Sequence, residues 1–333
     1  MVSSLPLRHR PMWPWLIGSP TPATTGDRRG KPNESTHSRP TTRPRSTAPP
    51  HWLTQRNLAM PLRLRLRNDS AVPIEVGTVR LQTVREQTAD QVLATEVLHG
   101  NARETLGEFF DADGSASDDN TLVFEGDCRR IKRIAERLAD GQVRVEGTAG
   151  MHLGAEMTGG NIVVDGDATD WVGAEMKGGR IHVRGRVGHQ LGAVYRGGHR
   201  GMTGGEILVD GDAGNEVGHS MRRGLIAVGG RVGDLSGVNL IAGTIVVGGE
   251  PGIRHGAGMK RGTIAFLDAQ SSPEVLPTFR GAGNCRPTFL RFYLKHLAEQ
   301  GWPVPDGALD ALYRRYNGDF LELGKGELLV RSA

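Results

Sequence analysis

The side chains in this 333-residue sequence best suited to binding a metal or moving a proton are its eleven histidines and two cysteines. A catalytic metal needs three His, Cys or carboxylate ligands converging on one point, and a nucleophilic site needs a Ser or Cys beside a base that a third group orients. The spacing offers neither. Cys128 and Cys285 form no Cys-x-x-Cys pair and are too few for a disulfide framework, which places the chain by default in a reducing, cytoplasmic compartment. There is no Gly-x-x-x-x-Gly-Lys-Ser/Thr, no His-Glu-x-x-His and no Gly-x-Ser-x-Gly. The expectation is a chain with no catalytic residue and no metal ligand set of its own. One short run stands apart: Tyr195, Arg196, His199 and Arg200 crowd into a glycine-rich stretch. An aromatic ring, two guanidinium groups and an imidazole suit recognition of a partner or a carrier; the plain alternative is a tolerated loop.

The elements that position this run come from a repeat. Units begin at Gln142, Asn161, Arg180, Glu206, Leu225 and Thr244; five have 19 residues and the third has 26, an insertion of 7. Slot 2 of successive units is Val143, Ile162, Ile181, Ile207, Ile226, Ile245 and, in a last partial unit, Ile264; slot 4 is Val145, Val164, Val183, Val209, Val228, Val247 and Phe266. Alternating β-branched residues define one buried face of a short strand. Slot 13 is always glycine (Gly154, Gly173, Gly192, Gly218, Gly237, Gly256), a corner that needs positive φ or has no room for Cβ. Slot 16 reads Met157, Met176, Tyr195, Met221, Leu240, Met259. The histidines fall out of phase, with His152 in slot 11, His182 in 3, His189 in 10, His219 in 14 and His255 in 12, and read as scattered surface residues.

Strand, glycine corner, apolar face and corner in fixed phase predict a mainly β chain built as a right-handed parallel β-helix (solenoid) of about 19 residues per turn. Thr121-Leu-Val-Phe-Glu-Gly126 reads as a strand one turn earlier, followed over 131–138 by either a degenerate turn or an amphipathic helix; the degenerate turn is the favoured reading. Apolar residues in the outward slot 3 (Val163, Leu208, Ala227, Val246, Ala265) predict that one outer face is covered by another domain or by a partner protein.

Four segments follow from this reading. Residues 1–59 hold 10 of the 18 prolines and 9 Arg/Lys against 2 acids, and are expected to be disordered, or to precede a true start at Met60. Residues 60–120 form a small N-terminal α+β cap, with a strand at Leu62–Leu66 and a helix at about Thr88–Leu93. Residues 121–268 form the β-helix. Residues 269–333 form a C-terminal extension of two helices, about Thr288–Gln300 with Phe289, Tyr293 and Leu297 on one stripe, and Gly307–Tyr316. The net charge of +4 minus the tail's surplus of 7 leaves −3 on residues 60–333, so the body gives no reason to expect nucleic acid. No apolar run is long enough to cross a membrane.

Units such as Val172-Gly-Ala-Glu-Met-Lys-Gly-Gly-Arg-Ile-His-Val-Arg-Gly185 resemble the β-helix domain shared by the C-terminal part of glutamate synthase and the C subunit of formylmethanofuran dehydrogenase. The corner Tyr195-Arg-Gly-Gly-His-Arg-Gly-Met-Thr-Gly-Gly205 is similar to the second family, and Leu276–Phe279 with Gly318–Glu327 resembles its bacterial branch in the formyltransferase/hydrolase complex. The resemblance, over residues 60–330 or so, implies a non-catalytic scaffold joining formyltransferase and amidohydrolase-like subunits. That complex moves a formyl group from tetrahydromethanopterin to a methanofuran-type carrier and releases formate in formaldehyde oxidation. It also implies that this chain binds no cofactor itself. Two alternatives stay open: the C subunit of an oxidoreductase, formylmethanofuran dehydrogenase, and a stand-alone structural solenoid.

Overall fold

The computed structural model describes residues 60–67 and 70–332; the segment 1–59, with its expected disorder or alternative start, lies outside the described residues. The chain is mainly β. The N-terminal part runs β1 (Leu62–Leu66), β2 (Ile74–Glu75), the single-turn helix α1 (Leu81–Val84), α2 (Ala89–Leu93), β3 (Glu96–His99), β4 (Ala102–Thr105) and β5 (Phe110–Asp113). Thr88 caps α2 through a reciprocal capping box with Gln91, which fixes where that helix starts.

The repeat then lays down β6 (Thr121–Glu125), the short β7 (Ile131–Lys132), β8 (Gln142–Glu146), β9 (Asn161–Val164), β10 (Arg180–Val183), β11 (Glu206–Val209), β12 (Leu225–Val228), β13 (Thr244–Val247) and β14 (Arg261–Phe266). Apart from β7, neighbours pair in parallel with like slots aligned: Val143 with Ile162, Ile162 with Ile181, Ile181 with Ile207, Ile207 with Ile226. Equivalent alternation in each repeat makes any other register bury the wrong face, so the register is over-determined. The stack continues past both ends of the repeat. β1 joins β6 in parallel, and after β15 (Arg280–Cys285), α3 (Thr288–Glu299) and β16 (Tyr313–Gly318), the strand β17 (Lys325–Arg331) joins β14 in parallel. The 13-stranded sheet is closed by antiparallel β5 at one edge and by β16 and β15 at the other, while β7 extends a second sheet of order β4-β3-β2-β7. Residues 131–138 are strand and turn, not helix.

Two other zones bind one repeat to the next. Slot 8 residues bridge in parallel, Cys128 to Ala149 to Ala168 to Val187, and Ala213 to Val232 to Pro251. At the glycine corner, backbone amides alternate in direction: Trp171 N donates to His189 O on the following repeat, Gly173 N to Leu153 O on the preceding one, and Glu175 N again to a following carbonyl, Ala193 O. Gly173 sits at φ +63°, and a Cβ there would lie 2.5 Å from Ile207 Cδ1. Slots 11 and 15 take the left-handed conformation with full side chains, among them Trp171 (φ 64°), Glu175 (φ 52°), Leu235 (φ 62°) and Arg254 (φ 60°). Strain of about 1–2 kcal/mol at each is carried by the amide bonds that the conformation makes possible.

The apolar slot 3 is covered by the chain itself. Leu208, Ala227, Val246 and Ala265 are buried in a second core with Leu290, Leu294, Leu297, Trp302, Ala308, Tyr313 and Leu329. Trp302 donates its indole N–H to Val209 O (2.9 Å), pinning the extension to the edge of β11. Val163, in the earlier β9, is half-buried and outside that cluster.

Three expectations are corrected here. The buried face of α3 is Leu290, Leu294 and Leu297; Phe289 and Tyr293 lie on its flank as an edge-to-face pair, because the shallow slot-3 surface accepts an aliphatic ridge. The segment Gly307–Tyr316 is turn followed by strand β16, not a second helix: Tyr313 enters the second core and Tyr316 packs on the first, the opposite-face alternation of a strand. Slot 16 of the long unit is filled by buried Met202, not Tyr195, since Met202 N donates to Gly192 O as Met176 N does to Gly173 O. The seven added residues are therefore 195–201.

Two stability outcomes follow. Gly173→Val forces a β-branched residue into the left-handed region against Ile207, costing roughly 2–5 kcal/mol, and sharply lowers soluble yield and melting temperature. Leu294→Ala opens the second core and lowers unfolding free energy by about 2–5 kcal/mol in urea titrations, with the far-UV dichroism of the β stack retained.

Candidate functional site

The inserted loop stands on a wall of rings. His152 and Trp171 occupy slot 11 of consecutive repeats, both left-handed (φ 65° and 64°), so their side chains leave the same corner in the same direction. The rings stack at 6.1 Å and 28°, and Tyr195, the first inserted residue, stacks on Trp171 at 5.0 Å and 28°. Tyr195 Oη lies 3.0 Å from His152 Nδ1, and Tyr195 N donates to Glu175 Oε1 at 3.2 Å. Below them Arg133, the slot-11 residue one repeat earlier, is held by Glu75 (3.2 Å) and Glu136 (3.1 Å). Burial pushes the Tyr195 phenol up to about 12, against a weaker pull from Arg133. Burial also lowers the His152 pKa, and the Arg133 and Lys132 charges add to the effect. Both partners in the Tyr195–His152 bond are thus neutral at pH 7, and the bond fixes the base of the loop without a buried charge.

The rest of the loop points outward. Arg196, His199 and Arg200 are exposed and, among the described residues, make no ion pair or hydrogen bond, while Gly197 (φ 83°) has open space around it. The structure therefore anchors Tyr195 and leaves the other three free at the tip. His152 and Trp171 complete the site without belonging to the inserted run; their one mark in the sequence is a shared slot on adjacent repeats. The slot-13 glycines Gly154, Gly173, Gly192, Gly218, Gly237 and Gly256 all have φ between 62° and 72°.

The remaining repeat histidines are not simply scattered on the surface. His182 is buried in β10 with Nε2 2.8 Å from Asp210 Oδ1. His189 Nδ1 accepts from Asn215 N (3.0 Å), one rung of a slot-10 ladder in which Asp170 accepts from His189 N (2.7 Å), Asn215 from Asp234 N (3.0 Å) and Asp234 from Ile253 N (3.0 Å). His219 pairs with Glu216 at 3.0 Å. His255 is 1% exposed, packs on Phe266 at 5.1 Å, and has no side-chain hydrogen-bond partner; burial pushes its pKa down to about 4.

The family described as GXGXG motif matches residues 131–276, the span of the repeat. Over 90 residues the chain is 32% identical to the C subunit of tungsten-containing formylmethanofuran dehydrogenase 2 from Methanococcus maripaludis, covering 27% of this chain and 33% of that one. Over 88 residues it is 36% identical to the C subunit of molybdenum-containing formylmethanofuran dehydrogenase 1 from Methanothermobacter marburgensis, covering 26% and 22%. These matches span about a third or less of the curated relatives' lengths. A chain in the crystal structure of the formyltransferase/hydrolase complex (FhcABCD) from Methylorubrum extorquens, solved with methylofuran, superposes with a TM-score of 0.74 at 33% identity, covering 81% of this chain and 100% of that one. The chain belongs to the family of formylmethanofuran dehydrogenase C subunits. For a member of that family, the ring wall and the outward loop are the one place where the monotonous repeat is broken by seven residues.

The buried imidazole gives a pH signature. Unfolding returns the His255 pKa from about 4 to its ordinary 6.5, so between those values the unfolded chain binds the additional proton. Stability is full above pH 6.5 and falls as pH drops toward 4, by about 3 kcal/mol for this group. His152 contributes in the same direction. Urea midpoints at pH 7 and pH 4.5 show a smaller fall for His255→Leu than for the wild type; equal falls exclude His255 as a source.

Proposed function

We propose that this chain is the scaffold subunit of a formyltransferase/hydrolase complex, holding catalytic subunits in place and performing no bond chemistry itself. The observation that carries the reading is the match, over the whole of that chain and 81% of this one, to a chain of the M. extorquens complex at 33% identity. The partners are then a formyltransferase and an amidohydrolase-like subunit. The reaction is formyl transfer from tetrahydromethanopterin to a methanofuran-type carrier, with release of formate; the methylofuran in the neighbouring structure supports a carrier of that type. In this reading the aligned repeats wind as a right-handed parallel β-helix over 121–268, residues 60–120 and 269–333 close its ends, and the chain works in the cytoplasm. No helix among the described residues is long and apolar enough to cross a membrane. The second reading, the C subunit of a dehydrogenase assembly, is favoured by the names of the curated relatives.

The loop is the proposed contact with a partner or the carrier. Tyr195 sets its base, while Arg196, His199 and Arg200, unpaired and exposed, offer charge and hydrogen bonds at little desolvation cost until a partner arrives. Affinity purification of the tagged chain from its native host recovers transferase and hydrolase subunits with it. Recovery of the chain alone defeats the scaffold reading, and tungsten or molybdenum in the assembly favours the dehydrogenase. Replacing Tyr195, Arg196, His199 and Arg200 by Ala leaves melting within a few degrees, since three of the four are exposed, yet weakens assembly or formyl transfer roughly tenfold or more. Normal complex activity removes the loop from the contact.

A further inference from the structure

A second group of cations, at slots 17 and 18, presents side chains that make no bond within the fold. Arg222 and Arg223 occupy slots 17 and 18 of the unit that begins at Glu206, and Arg261 occupies slot 18 two repeats later, with Ala242 between Arg223 and Arg261 in that column. In-register repeats of about 4.8 Å put the Arg223 and Arg261 backbones about 10 Å apart, with a methyl group separating two guanidinium-bearing chains. Together Arg222, Arg223, Arg261 and Tyr293 of α3 line a hollow of about 420 Å³, backed by Gly224 and Gly243, and no carboxylate lines it.

Elsewhere the same protein pairs its arginines across repeats. Arg137 holds Glu156 (3.1 Å), Arg144 holds Asp165 (2.7 Å), Arg180 holds Glu206 (2.9 Å) and Arg186 holds Asp167 (3.1 Å). Arg222, Arg223 and Arg261 have no ion pair or side-chain hydrogen bond among the described residues. Lys325, also without one, stands directly opposite Arg261 in the β14–β17 register, where like charges destabilise a strand pair. The acids nearest these cations in sequence are engaged: Glu216 pairs with His219 (3.0 Å), Asp268 accepts from Gln270 N (2.9 Å), Glu327 accepts from Thr263 (2.8 Å), and Glu322 lies 3.9 Å from Lys260.

We propose that this hollow binds a small multivalent oxyanion, bearing carboxylate or phosphate groups, gripped between Arg223 and Arg261 with Arg222 at the side and Tyr293 as the wall. Guanidinium groups present paired N–H donors that match both oxyanions, and a concentration of unpaired positive charge in a hollow of this size is relieved by such a ligand. The inference does not depend on the scaffold reading or on the inserted loop.

Calorimetric titration of the full chain at low salt, with tripolyphosphate and separately with tricarballylate, tests it. Saturable one-site binding of either probe supports the site, and the stronger of the two names phosphate or carboxylate as its chemistry. Arg223→Gln with Arg261→Gln weakens binding roughly tenfold or more, whereas Arg186→Gln with Arg231→Gln, which removes the same charge from paired surface positions, leaves it within about twofold. The bound probe also raises the melting temperature of the wild type and not that of the Arg223/Arg261 variant. Failure of both probes to bind, or equal weakening in the two double variants, overturns the proposal.

Discussion

The glycine corner is the constraint on which the rest of the structure depends. Around it, slots 11, 13 and 15 take left-handed φ, and their amides reach alternately to the following and the preceding repeat. Bent this way, the backbone turns the amides of these three slots away from their own unit, so those amides are satisfied by the neighbouring repeats. Side chains that dislike the conformation, Trp171 and Leu235 among them, are held in it because giving up the corner's inter-repeat hydrogen bonds outweighs strain of about 1–2 kcal/mol. Of these three slots only slot 13 is glycine throughout, since there a Cβ meets the inward slot-2 residue of a later repeat, as Gly173 shows against Ile207.

That constraint also accounts for where this chain departs from regularity. An inserted stretch is tolerated only if the amide ladder is rejoined on its far side, and it is: Gly201 N reaches Ser220 O, and Met202 N reaches Gly192 O. The loop between is released from the ladder, which is why Tyr195 can swing onto Trp171 and His152 while Arg196 to Arg200 stay in solvent. The regularity of the repeat and the exposure of the tip have one cause.

The strands are the most legible feature of the sequence, because Ile and Val at slots 2 and 4 repeat a pattern that a single register satisfies. The corner is legible at its glycines and invisible at its left-handed Trp, Glu and Leu, whose side chains announce nothing about φ. The ring wall is harder to read, because a histidine such as His152 invites comparison with other histidines as a metal ligand and not with the Trp in its own slot. Outside the repeat the pattern is weaker. Phe289 and Tyr293 are more conspicuous than the Leu ridge that packs, and the run from Gly307 to Tyr316 fits helical and strand spacing equally until β15 and β17 are seen to flank it. His255 can be placed by slot, but nothing in its neighbours in sequence says that its ring would be left without a partner.

The second core is built from two parts made far apart in time. Leu208, Ala227, Val246 and Ala265 are laid down strand by strand, while their cover, from Leu290 to Leu329, comes off the ribosome after all of them. At roughly 5–20 residues per second, the apolar strip faces water for several seconds in each newborn chain. During synthesis, then, this protein carries a sticky seam that closes only when its last helix and strands arrive, and anything that stalls translation within that interval leaves it open.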